Sequence, residues 1–122
     1  MSNQVIYTEN APEPIGPYSQ AIQAGNTLYI SGQIAFNESV NGTLQEETHK
    51  VMQNLQAILE AAHMNFSHVV KCSIFLKNMN DFAEVNEIYG QYFKKNPPAR
   101  ETVQVACLPK NVNVEISAIA VQ

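Results

Sequence analysis

Between residues 43 and 65 the apolar side chains Val51, Leu55, Ile58, Leu59 and Ala62 recur at three- and four-residue spacing. That is the period of a helix with one buried face. On either side of this stretch the period changes to two. In 69–76, Val70, Cys72, Ile74 and Leu76 alternate with Val69, Lys71, Ser73 and Phe75. In 113–121, Val114, Ile116, Ala118 and Ala120 alternate with Asn113, Glu115, Ser117 and Ile119. A chain that moves between these periods folds as helices laid on a sheet, which places it in the α+β class.

The remaining elements follow from turn chemistry and side-chain shape. Strands are expected at 4–7, 19–24, 27–33, 69–76, 102–106 and 113–121. Pro12, Pro14 and Pro17 exclude helix and central strand from 10–17. Gly25-Asn26 suits a two-residue link between the second and third strands. Residues 37–42 read as a polar loop. Thr43 and Glu46 have capping-box spacing at the start of the long helix, whose polar face of Lys50, Gln53, Asn54, Gln56 and Glu60 is expected to be solvated. Asn80 or Asp81 is placed to cap a second helix, with a stripe of Phe82, Val85, Ile88, Tyr89, Tyr92 and Phe93, ended by Asn96-Pro97-Pro98. Leu108 to Asn111 is a turn. Two helices cover one face of a mixed sheet. The other face carries Ile119, Val121 and Phe75 and needs a cover, for which self-association is the simplest source.

At 122 residues the chain is expected to form one domain spanning 1–122, burying about two-thirds of its unfolded surface. The net charge is −4, with only seven Lys and Arg, too few for a phosphate-tracking stripe, so nucleic acid is not an expected partner. No apolar run is long enough to cross a bilayer. Residues 1–10 lack the pattern of a signal peptide, so the expected compartment is the cytosol. Cys72 and Cys107 form no CxxC pair and read as packed thiols. His49, His63 and His68 have no metal-ligand spacing, so no metal is expected, and His49 and His63, in or near the long helix, read as solvated.

A search for a nucleophile finds no Gly-x-Ser-x-Gly elbow, only the fragment Ser31-Gly32. What remains is a set of polar residues near strand and loop ends. Arg100 follows Pro97-Pro98-Ala99 and precedes the expected fifth strand. Its planar fork suits a carboxylate, and equally a surface or inter-subunit salt bridge. Glu115 lies inside an apolar strand and requires either a partner, such as Arg100 or Lys110, or a functional cavity. Tyr18 is core packing or a pocket wall. Ser31 and Gln33 end a strand. Asn86 lies on the second helix, facing either solvent or a site.

The order Pro97-Pro98-Ala99-Arg100, Val103-Gln104-Val105-Ala106, Val114-Glu115-Ile116 resembles the signature of the Rid family, also called YjgF. Ile15-Gly16-Pro17-Tyr18-Ser19, Ile30-Ser31-Gly32-Gln33-Ile34, Asn80-Asp81-Phe82, Val85-Asn86 and Leu108-Pro109-Lys110 stand in the order expected of that family. The likeness runs from about residue 8 to residue 121. It implies a chorismate-mutase-like fold, with a mixed sheet backed by two helices, assembled as a homotrimer with clefts between subunits. It implies hydrolysis of 2-iminobutanoate and 2-iminopropanoate to 2-oxo acids and ammonia, without a cofactor. Arg100 then resembles the arginine that holds the substrate carboxylate, and Glu115 the acid that orients or activates water. Tyr18, Ser31, Gly32 and Asn86 resemble cleft-lining positions, and the backbone near Thr102 and Ser31 is expected to fix the imine end. Thr102 stands where relatives often have Cys, Glu101 where a small residue is common, and Ala35 where many have Pro. Two other readings are a non-catalytic trimer that binds small carboxylates, and a ribonuclease or translation inhibitor.

Overall fold

In a computed structural model describing residues 2–122, the last strand lies inside the sheet. The strands are β1 (Gln4–Ile6), β2 (Ala21–Ala24), β3 (Thr27–Gln33), β4 (Val69–Leu76), β5 (Ala99–Gln104) and β6 (Val114–Val121). They form one sheet in the order β1-β2-β3-β6-β4-β5. All pairings are antiparallel except β4 with β5, so the sheet is mixed, as expected. The parallel pair needs a crossover, which the second helix of the sequence reading supplies.

The helices are α1 (Phe36–Asn41), α2 (Leu44–Ala61) and α3 (Phe82–Gly90). The α2 stripe packs across β3 and β6, burying Val51, Leu55, Ile58 and Leu59 against Leu28, Ile74, Ile116 and Ala120. Each such side chain contributes about 1.5–3 kcal/mol by leaving water. The Thr43–Glu46 capping box forms in both directions. After Ala61, His63 adopts a left-handed φ of 60°. The Met64 amide then reaches back to the Leu59 carbonyl, closing the helix end.

Several expectations need correction. Residues 37–42 are not a loop, because Phe36–Asn41 is helical. Its polar side chains bond within it, Ser39 to the Phe36 carbonyl and Asn41 to Asn37. It buries no residue, so it has no apolar stripe to read. Asn54 is not solvated: it is fully buried and donates to the Ile34 carbonyl at 3.2 Å. Neither Asn80 nor Asp81 caps α3 with its side chain. Asn78 instead accepts from the Asn80 amide at 2.9 Å, in the 3-10 turn that leads into the helix. β5 starts at Ala99 rather than Thr102 and ends at Gln104, because the extended backbone after Pro97-Pro98 enters the ladder at once. Cys72 is buried but Cys107 is exposed. His49 is not simply solvated: it meets the Tyr92 hydroxyl at 2.8 Å.

The face away from the helices stays open. Tyr29 pairs with Ile119, and Phe75 with Val103. Lys71 and Glu101 form an ion pair on this face at 3.0 Å, and Tyr29 is half exposed.

Candidate active site

The site residues fall into two groups with the sheet between them. The first gathers at the β5 edge. In the parallel register Arg100 stands beside Cys72 and Thr102 beside Ile74. Cys72 and Ile74 are buried under the helices, so Arg100 and Thr102 are on the helix side. Arg100 is thus a strand residue, not a loop residue ahead of a strand. Its Nη1 donates to Asn86 Oδ1 on α3 at 2.7 Å. The guanidinium carbon lies 5.0 Å from the Tyr89 ring centroid and 5.6 Å from that of Phe82. The Thr102 hydroxyl is buried without a partner among the described residues. A cleft of about 390 Å³ opens here, lined by Asn86, Tyr89, Pro97, Pro98 and Arg100 among others.

The second group lies where β3 and β6 part. Ile30 pairs with Ala118 and Gln33 with Ile116, three steps on one strand against two on the other. The extra residue makes a bulge at Ser31-Gly32, a common way to re-aim a strand beside a site. Glu115 comes from the open face of β6, opposite Phe75. Its carboxylate lies directly over Gly32: a Cβ placed there would sit 2.0 Å from Glu115 Oε2. The limit at this position is one of space, not of torsion: a side chain here would displace the Glu115 carboxylate. Glu115 forms no ion pair with Arg100 or Lys110, and Lys110 instead lies over the Phe36 ring at 4.9 Å. Partial burial raises the Glu115 pKa above the usual carboxylate value.

Ser31 donates its hydroxyl to the Ser19 carbonyl at 2.6 Å, which spends that group on holding the loop. Tyr18 is half exposed in a tight turn where its amide bonds to the Gly16 carbonyl at 2.8 Å. Tyr18, Ser31, Gly32, Ile34, Pro109 and Glu115 line a cleft of about 380 Å³. This cleft shares no lining residue with the one at Arg100.

Sequence reasoning missed two buried polar side chains that support this second cleft. Gln20 ties the proline-rich loop in place: its Oε1 accepts from the Thr8 amide at 2.8 Å, and its Nε2 donates to the Pro12 carbonyl at 3.0 Å. Glu47, fully buried on α2, accepts from the Asn113 amide at 2.9 Å and from Asn113 Nδ2 at 2.7 Å, anchoring the chain just ahead of β6. A signal for Glu47 was present, since it sits four residues before Val51 on the apolar stripe. Among the described residues no group of three potential ligands is arranged to hold a metal, and no helix is long and apolar enough to cross a membrane.

A family model described as endoribonuclease L-PSP matches residues 8–122. A RutC family protein of Pyrococcus horikoshii is 53% identical over 121 residues, 96% of each chain. The human 2-iminobutanoate/2-iminopropanoate deaminase is 50% identical over 123 residues, covering 98% of this chain and 90% of the human one. The structure of a conserved Rid family protein from Yersinia pestis matches with a TM-score of 0.92 at 43% identity, over 99% of this chain and 100% of that one. With sequence and overall structure both matched along nearly its whole length, the chain belongs to the Rid family, also called YjgF.

Proposed function

We propose that the protein is a cytosolic deaminase that hydrolyses 2-imino acids such as 2-iminobutanoate and 2-iminopropanoate, working as a homotrimer without a cofactor. The observation that carries this reading is the state of Arg100. Its guanidinium gives one hydrogen bond to Asn86, and its other N–H groups meet no acceptor among the described residues. An unsatisfied fork beside a cleft suits a small carboxylate. The relatives named as deaminases support the same choice.

Arg100 and Glu115 lie on opposite faces of one sheet, so a single protomer does not present both to one small molecule. The trimer answers this: Arg100 of one protomer faces the Tyr18, Ser31, Gly32 and Glu115 cleft of the next, and the open sheet faces cover one another. Arg100 then holds the carboxylate and Thr102 borders the imine end. Glu115 takes a proton from water as the oxygen adds to the C=N carbon, and returns it to the nitrogen. Glu115 then takes the proton of the new hydroxyl as the C–N bond breaks, so ammonia leaves and the oxygen stays as the carbonyl of the 2-oxo acid. The raised Glu115 pKa makes the carboxylate a better proton acceptor. A protonated imine is already electrophilic, so positioning it beside water is the main requirement.

The test couples a threonine dehydratase to the protein and follows 2-oxobutanoate release. Unmodified protein accelerates release over spontaneous hydrolysis. Arg100→Ala loses a charge-assisted bond worth about 1.5–3 kcal/mol, roughly a 10- to 150-fold fall in kcat/KM. Arg100→Lys recovers part of it, lacking the fork. No acceleration by the unmodified protein ends the reading, and tight 2-oxobutanoate binding with no turnover would favour a carboxylate-binding trimer instead. Ribonuclease activity is suggested by the family model's description, but the net charge of −4 opposes it.

A further inference from the structure

The two rings beside Arg100 take no part in the hydrolysis as described, yet they come from a single face of α3. Phe82, Asn86 and Tyr89 are spaced four and three residues apart, so they form one row along the helix. All three meet the same guanidinium. Asn86 holds one corner through Nη1 at 2.7 Å. The Tyr89 and Phe82 rings lie 5.0 Å and 5.6 Å from its central carbon. A hydrogen bond at one corner leaves rotation about that bond free, and aromatic contacts restrict it.

We propose that Phe82 and Tyr89 are positioning residues that fix the plane of the Arg100 guanidinium, so that it meets a planar carboxylate edge-on with the N–H groups Asn86 leaves free. This rests on the reading of Arg100 as the carboxylate-binding residue. Tyr89 passes the rigidity of the core to the site. It is only 4% exposed and packs on Phe93 with ring centroids 4.8 Å apart, and Phe93 packs on Phe66 at 5.3 Å. Its hydroxyl finds no good hydrogen-bond partner among the described residues, with only the weakly bonding Cys72 thiol beside it. The ring, not the hydroxyl, is the working part. Phe82 is 39% exposed, so its removal leaves no cavity in the core.

The test measures steady-state hydrolysis of 2-iminobutanoate and calorimetric binding of 2-oxobutanoate for Phe82→Leu, Tyr89→Leu and Tyr89→Phe. Each loss of a ring raises KM and the 2-oxobutanoate Kd about three- to tenfold, with kcat within about twofold. Tyr89→Phe keeps the ring and restores both constants, which a role for the hydroxyl would not allow. In an Arg100→Ala background Phe82→Leu has no further effect, because its target is gone. Should Tyr89→Leu fail to fold, the exposed position 82 carries the test alone. An unchanged KM for Phe82→Leu, or an equal penalty with and without Arg100, overturns the positioning role while leaving the deaminase reading in place. Failure of the unmodified protein to turn over the imine overturns both.

Discussion

The two halves of the site are built by opposite means. At the β5 edge a charge is held by what surrounds it: an amide oxygen and two rings on Arg100. At the β3–β6 bulge a carboxylate is placed by what is missing, since Glu115 occupies the space a side chain at position 32 would fill. A half made of contacts is weakened in steps as contacts are removed. A half made of an absence fails at once when anything is added.

The largest effect tests whether the halves meet across protomers. Lysines at both Tyr29 and Ile119, paired on the open sheet face, put like charges in any interface there. Sedimentation should show monomers, and deamination should fall by more than about a hundredfold with the helical circular dichroism retained. Full activity from a monomer would break the proposed division of labour. Next comes Gly32→Ala. The atoms in its way are the flexible end of Glu115, so the carboxylate swings aside and the fold survives. kcat falls on the order of a hundredfold, as for loss of a general base, while the melting temperature stays close to that of the unmodified protein. A large stability loss instead would mean that the bulge, not the carboxylate, depends on the glycine.

Glu47→Ala sharpens the contrast from the structural side. It strands two donors of Asn113, and urea unfolding should show a loss of about 2–4 kcal/mol. The smallest effect is that of pH. Burial raises the Glu115 pKa above its unfolded value. Its contribution to stability is therefore fully present below the unfolded pKa and lost as pH rises through the folded one. Glu115→Gln should melt slightly higher than the unmodified protein at neutral pH and no higher in acid. Its kcat/KM should lack the acid limb that the unmodified protein shows as Glu115 takes up a proton.

What was legible in the sequence divides along physical lines. The α2 stripe, its capping box and the strand alternations are local and periodic, so they could be read directly. Arg100 and Glu115 stood out as charges in apolar or proline-stiffened surroundings. α1 could not be read, because its polar side chains satisfy one another and face no core. Gln20 looks like an ordinary surface residue, and only partners 8 and 12 positions away show it to be a buried tie; Glu47 sits on the α2 stripe, but the partner that satisfies it lies 66 positions on. Phe82 and Tyr89 were visible as part of an apolar stripe, but not that the stripe faces a guanidinium. That the halves lie on opposite faces follows from β6 entering the middle of the sheet, a long-range pairing no local pattern encodes.

Ile30 and Gln33 both point into the protein, at 4% and 5% exposure, although an unbroken strand would turn them to opposite sides. The chain therefore changes phase between them. Removing one residue there would bring the two strands back into step with Ile30 and Gln33 still facing inward, and would erase the bulge that sets Gly32 beneath Glu115. In this segment the number of residues is as tightly held as their identity, and length changes among working relatives should fall in the loops on either side.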